Sequence, residues 1–317
     1  MNKEESGRER YFLLLLLVNV MWAFQYSGAK IATQELGPIA VAFLPMLAST
    51  IMLGIILFVS QRGGRQPSSQ QRGSLGKQVL TFVILGAGTF TAQLGLTSGV
   101  KRSLASNASV LTLVIPVLTA LLATVMVGEK MNRLLWVSFA LAIVGVLLVS
   151  DVDWRSVHLL RGKYLLGNAL ILVGCLGSAF YNTFSKRVLR LFTPLEVLVY
   201  SFIASDVVLF AAMRRSEPMT LRQLASIGPA AWASLAAIAV FPLTLAMLLF
   251  FWVIKRIALT KAALTCYLMP VFGVLISTVV VREKVRWQLL VGGIVVLAGT
   301  FLGTTYGERK KTEAAGQ

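Results

Sequence analysis

Ten mostly apolar stretches, each about as long as a helix that crosses a hydrocarbon core, divide this chain. They cover 11–33, 38–60, 78–100, 105–127, 133–150, 164–185, 196–213, 230–253, 260–281 and 286–306. The polar gaps at 61–77, 151–163 and 214–229, and the tail from 307, are too short for a soluble domain. Lipid offers no hydrogen bonds to an open backbone, so such runs fold as helices that satisfy their own amides. The pattern predicts an all-α membrane protein with ten transmembrane helices. The first run reads as a retained helix: it is long and lacks a convincing small-residue cleavage site.

Composition agrees with this reading. Of 317 residues, 56% are hydrophobic and 14% charged, where soluble domains carry about 25% charged residues. The 30 Lys+Arg against 13 Asp+Glu could suggest nucleic acid. Most of these charges fall in the short segments between apolar runs, where basic residues orient membrane helices. With the N-terminus inside, 18 of the 30 basic residues lie on the inner side. Both termini are therefore expected in the cytoplasm of a multi-pass protein of the bacterial inner membrane, with no nucleic-acid partner. The one histidine, His158, falls in a gap, and Cys175 and Cys266 stand alone in apolar runs. There is no metal motif, no H-E-x-x-H or G-x-S-x-G, and no Walker A sequence. No enzyme activity, catalytic residue, metal or cofactor is expected.

A repeat carries more information. "IPVLTALLATVMVGEK" (115–130) and "MPVFGVLISTVVVREK" (269–284) are identical at eight of sixteen positions, 154 residues apart. At the same offset Lys101-Arg102 pairs with Lys255-Arg256, Ala108 with Ala262, and Gly145 with Gly299. A weaker echo sets "AFQYSGAK" (23–30) against "AFYNTFSK" (179–186) at an offset of 156. Five spans separate the fourth helix from the ninth, and an odd number reverses direction. The expected architecture is two inverted five-helix repeats, 1–150 and 164–306, around a central cavity, with a cytoplasmic tail at 307–317. Many secondary transporters are built this way, because exchanging the conformations of two similar halves moves a cavity from one face to the other.

Ten spans in two five-span halves, each with "P-x12-E-K" and a glycine-containing last helix, resemble the EamA branch of the drug/metabolite transporter superfamily. The resemblance covers nearly the whole chain. It implies alternating access and the export or exchange of a small metabolite such as an amino acid. Two departures from symmetry stand out. Arg282 takes the place of Gly128, and the echo between the first helices is eroded, so the two ends of the path need not gate alike.

Candidate residues follow from polarity inside spans, where a polar group generally faces protein or water. Asn19, Trp22, Tyr26 and Lys30 form one helical stripe; Thr89, Gln93 and Thr97 a second; Ser178, Asn182 and Lys186 a third. Asp206 is the acid deep in a span, open to four readings: a proton-coupling carboxylate, a substrate-amine partner, a neutral acid on a neighbouring hydroxyl, or a residue lying shallower in the membrane than mid-span. Trp252 and Tyr267 are aromatic candidates in the second half. Pro116 and Pro270 either shape static kinks or act as hinges. Glu129 and Glu283 either pair with nearby basic residues or latch the cavity ends, with Lys130 and Lys284 favouring helix C-termini. The expected partners are a small-molecule substrate and the lipid bilayer, with protons as the candidate coupling ion. Oligomeric state is left open, and a channel or scaffold is the alternative class.

Overall fold

The structure, a computed structural model, describes residues 3–62, 74–103, 111–149, 162–218, 224–272 and 287–305. Its helices are α1 (Lys3–Ala32), α2 (Pro38–Arg62), α3 (Leu75–Arg102), α4 (Val114–Met126) and α5 (Arg133–Val149). They continue with α6 (Gly162–Val188), α7 (Pro194–Ser216), α8 (Pro229–Ile254), α9 (Leu259–Phe272) and α10 (Trp287–Thr305). Among the described residues α2, α3, α6, α7 and α8 are long and apolar enough to span a bilayer, while α4, α5, α9 and α10 hold shorter apolar segments. Leu166, Val207 and Ile294 are 63%, 64% and 67% exposed. Large apolar side chains on the outer surface mark a molecule whose surroundings are lipid.

Helix starts follow local chemistry. At α7, Thr193 and Glu196 form a reciprocal capping box around Pro194, so the first-turn amides find acceptors. At α2 and α8 the acceptor comes from far along the chain. Glu217 accepts from the amides of Ile39 (3.1 Å) and Ala40 (3.0 Å) at the start of α2. Glu35 accepts from the Gly228 amide (2.6 Å) at the start of α8. In α8, residues Ala239–Ala246 widen into a π-helical turn around Pro242, which has no N–H to give. Thr244 there donates to the Ala239 carbonyl (2.7 Å) and meets Ser49 of α2 at 2.8 Å.

The helices pack in pairs: α3 on α6, α5 on α10, α2 on α7, α1 on α8, and α4 against both α6 and α9. Glycines set two of these seams. A Cβ at Gly95 would lie 2.7 Å from the Gly174 backbone, so α3 and α6 touch main chain to main chain. A Cβ at Gly145 would lie 2.7 Å from the Val296 amide and 2.9 Å from the Gly292 carbonyl. One at Gly299 would lie 3.2 Å from the Ala142 amide and 3.1 Å from the Ser138 carbonyl. The main core, with Leu53, Leu85, Leu198, Phe202 and Phe251, joins α2, α3, α7 and α8.

Candidate transport path and its closed end

The proline helices meet each other. Pro116 sits in the first turn of α4, and the chain breaks its helix at Leu113 just before it. Pro270 sits behind a matching break at Cys266–Tyr267, where the Cys266 carbonyl takes the Met269 amide (3.1 Å) instead of the proline. Tyr267 is buried, donates from its hydroxyl to the Leu113 carbonyl (3.0 Å) and packs edge-on to Phe139. Both partners of that bond stand three residues before a proline. Proline removes a helical donor and loosens the turn before it, and here one loosened turn supplies the carbonyl that the other binds.

Beside this crossing lies Asn19 of α1, fully buried. Its amide nitrogen reaches the Leu15 carbonyl (2.7 Å) and Thr265 Oγ1 (3.2 Å), while its oxygen has no donor among the described residues. Trp22, one turn on, is half-buried against Phe250 at 4.9 Å. That contact continues through Phe251 to Tyr181, whose hydroxyl meets Ser201 at 3.0 Å. Gln93 and Asn182 are half-buried on α3 and α6. The hydroxyls in their stripes turn back on their own helices: Thr89 to the Leu85 carbonyl, Thr97 to Gln93 and Ser178 to Gly174. The side chains of Tyr26 and Lys30, and the whole of Glu283 and Lys284, lie outside the described residues.

Asp206 lies between α7 and α2. Its Oδ2 is 2.6 Å from Thr50 Oγ1, which is also 2.9 Å from the Met46 carbonyl, and its Oδ1 is buried without a donor among the described residues. Trp252 stands instead at the end of α8, with the Arg256 guanidinium 3.7 Å over its ring and Arg10 and Tyr11 at 5.9 and 5.8 Å. An amphipathic ring held by arginines at a helix end has the form of an interfacial anchor.

At this same end the α8–α9 turn is gripped from two sides. Glu129, just past α4, accepts from the amides of Leu259 (2.6 Å) and Thr260 (2.8 Å) at the start of α9. Gly128, at φ +80°, makes the left-handed bend that aims it there. Lys186, in the last turn of α6, donates to the carbonyls of Ile254 at the end of α8 and Ile257 in the turn that follows. An anion on a helix N-terminus and a cation on a helix C-terminus both match the helix dipoles. Lys130 is exposed. The sequence pattern does not single out Glu35, Glu217 or Thr50. The available signal was a glycine-proline helix start at 37–38 and at 228–229, each needing an outside acceptor.

Residues 10–151 and residues 165–305 each match the EamA-like transporter family. The chain belongs to this family. Among its relatives, an uncharacterized transporter of Archaeoglobus fulgidus is 27% identical over 297 residues, 92% of this chain and 96% of that protein. A probable terminal-alkyne amino-acid exporter of Streptantibioticus cattleyicolor is 23% identical over 306 residues, 96% of this chain and 97% of that protein. The uncharacterized inner membrane transporter YedA of Escherichia coli K12 is 24% identical over 294 residues, 90% of this chain and 88% of that protein. A solved crystal structure with 17% identity shares the fold, with a TM-score of 0.76 over 95% of this chain and 99% of that one. This EamA-like chain is a multi-pass membrane protein, and its family and relatives point to transport and away from catalysis.

Proposed function

We propose that the protein is a secondary transporter of the bacterial inner membrane that exports or exchanges a small metabolite, an amino acid or related compound, by alternating access. Its two halves, residues 1–150 and 164–306, are inverted copies, with both termini and the 307–317 tail in the cytoplasm.

The observation that carries this reading is the reciprocity of the α5–α10 seam. Gly145 meets 296 and 292, Gly299 meets 142 and 138, and each position is 154 residues from its counterpart. Contacts in which i meets j and the equivalent of j meets the equivalent of i are what a two-fold axis produces. Two further pairs lean the same way. Leu113 bonds Tyr267 across 154 residues, and Thr50 bonds Asp206 across 156, the offset of the first-helix echo. Asn19, Trp22, Tyr26, Gln93 and Asn182 are the substrate-path residues of this reading, and Glu129 with Lys186 closes one end. The exporter from Streptantibioticus cattleyicolor supports amino-acid chemistry, and YedA supports the inner membrane.

Proton coupling runs through Asp206. Thr50 has one hydroxyl proton for two acceptors, so a proton on Asp206 completes a relay to Thr50 and on to the Met46 carbonyl. Losing that proton leaves a carboxylate between two helices, which strains the α2–α7 contact. The test is counterflow in proteoliposomes preloaded with unlabelled amino acids and given labelled ones outside. Saturable exchange without ionic current supports a carrier. Single-channel current, or no exchange for any amino acid, organic acid or polyamine, overturns the proposal.

A further inference from the structure

An open groove of about 440 Å³ runs along the outer seam of α3 and α6, away from the α4–α9 crossing. Phe90 and Leu94 line it on one helix and Leu166, Leu170 and Val173 on the other. Small Thr91, Gly95 and Ser98 leave room between them, at the seam where glycine brings the backbones together. Leu166 and Val173 are largely exposed, so the groove faces the bilayer.

One end is cationic. Arg102 lines the groove from the last turn of α3, exposed and bonded only loosely to its own Ser98 carbonyl at 3.3 Å. Lys163 is exposed in the first turn of α6, on the stripe that continues through Leu166, Leu170 and Val173 at spacings of three, four and three. The two ends are adjacent, because Gly167 packs on the Arg102 backbone and Ser103 bonds Asn168. We infer that this groove is a binding site for an anionic glycerophospholipid, with an acyl chain between the helices and the phosphate between Arg102 and Lys163. Its volume falls within the usual range for ligand sites, about 300–1,000 Å³. With the N-terminus in the cytoplasm, the end of α3 and the start of α6 face the outer leaflet, so the headgroup comes from that leaflet and is drawn there by the two positive charges. A soluble anion would leave the apolar length unfilled, and an uncharged lipid would offer no anion to Arg102 or to Lys163, whose Nζ lies 5.6 Å over the Tyr164 ring among the described residues.

The test is thermal melting of the full-length protein in detergent, titrated separately with dioleoyl phosphatidylglycerol, dioleoyl phosphatidylcholine and glycerol 3-phosphate. Phosphatidylglycerol is expected to raise the melting temperature saturably and the other two far less. Replacing both cations (Arg102→Gln with Lys163→Gln) should weaken the apparent affinity about thirtyfold, equivalent to about 1 kcal/mol for each basic residue. Val173→Trp, which keeps both cations and fills the groove, should abolish the shift while the protein without lipid melts as before. Equal shifts from both lipids, a shift from glycerol 3-phosphate alone, or a phosphatidylglycerol shift that survives Val173→Trp would each overturn the inference.

Discussion

If the α4–α9 junction is one end of the proposed path, Glu129→Gln should loosen it. The carboxylate holds two amides at 2.6 and 2.8 Å at the start of α9. Hydrogen bonds to a charged group are worth about 1.5–3 kcal/mol each when buried. The site is only partly buried, which lowers this, and the helix-dipole match adds about 0.3–1 kcal/mol. Glutamine retains one acceptor and turns an NH2 group toward the second amide, donor against donor. A net loss of about 2 kcal/mol is therefore expected in the closed arrangement alone, and it shifts the open-to-closed ratio about thirtyfold. Spin labels on Lys130→Cys and Arg256→Cys bracket the α4–α9 junction. Their distance distribution, measured in lipid with and without Glu129→Gln, should move toward a longer population. Lys186→Met, which releases the α8 end of the same turn, should act in the same direction. An unchanged distribution in a variant that melts normally would refute the latch.

Three other outcomes are expected. Asp206→Asn keeps a partner for Thr50 but cannot take up or release the proton, so proton-driven uptake should disappear while exchange persists; a proteoliposome assay with an unchanged dependence on proton gradient removes Asp206 from coupling. Gly95→Val should destabilise the fold by about 1–3 kcal/mol or more, because its side chain has no room against Gly174, whereas Gly54→Ala, with open space around its Cβ, should change little; comparable melting curves for the two would contradict the seam. Trp22→Ala should shrink the thermal shift produced by a bound metabolite, which for wild type at about 100 times its dissociation constant corresponds to about 2.7 kcal/mol.

The span positions were legible because hydropathy is local: the run read at 196–213 needs only its own apolar residues to be a membrane helix, and the helix found there, Pro194–Ser216, extends it by two and three residues and begins at its own capping box. The repeat was legible for a similar reason, since Pro116 and Pro270, or Gly145 and Gly299, can be aligned without knowing what they touch. Partners were not legible. Glu129 reads as one half of a Glu-Lys pair, yet its carboxylate goes to amides 130 and 131 residues away and its neighbour Lys130 points to solvent. Trp252 reads as a path residue but stacks under Arg256 at a helix end, and the acceptors for the starts of α2 and α8 are glutamates from opposite halves. Periodicity assigns a residue to a face of its own helix. Which foreign backbone that face meets depends on how closely glycines let two helices approach and on which turns their ends bring together, and that is decided only when all the helices are packed.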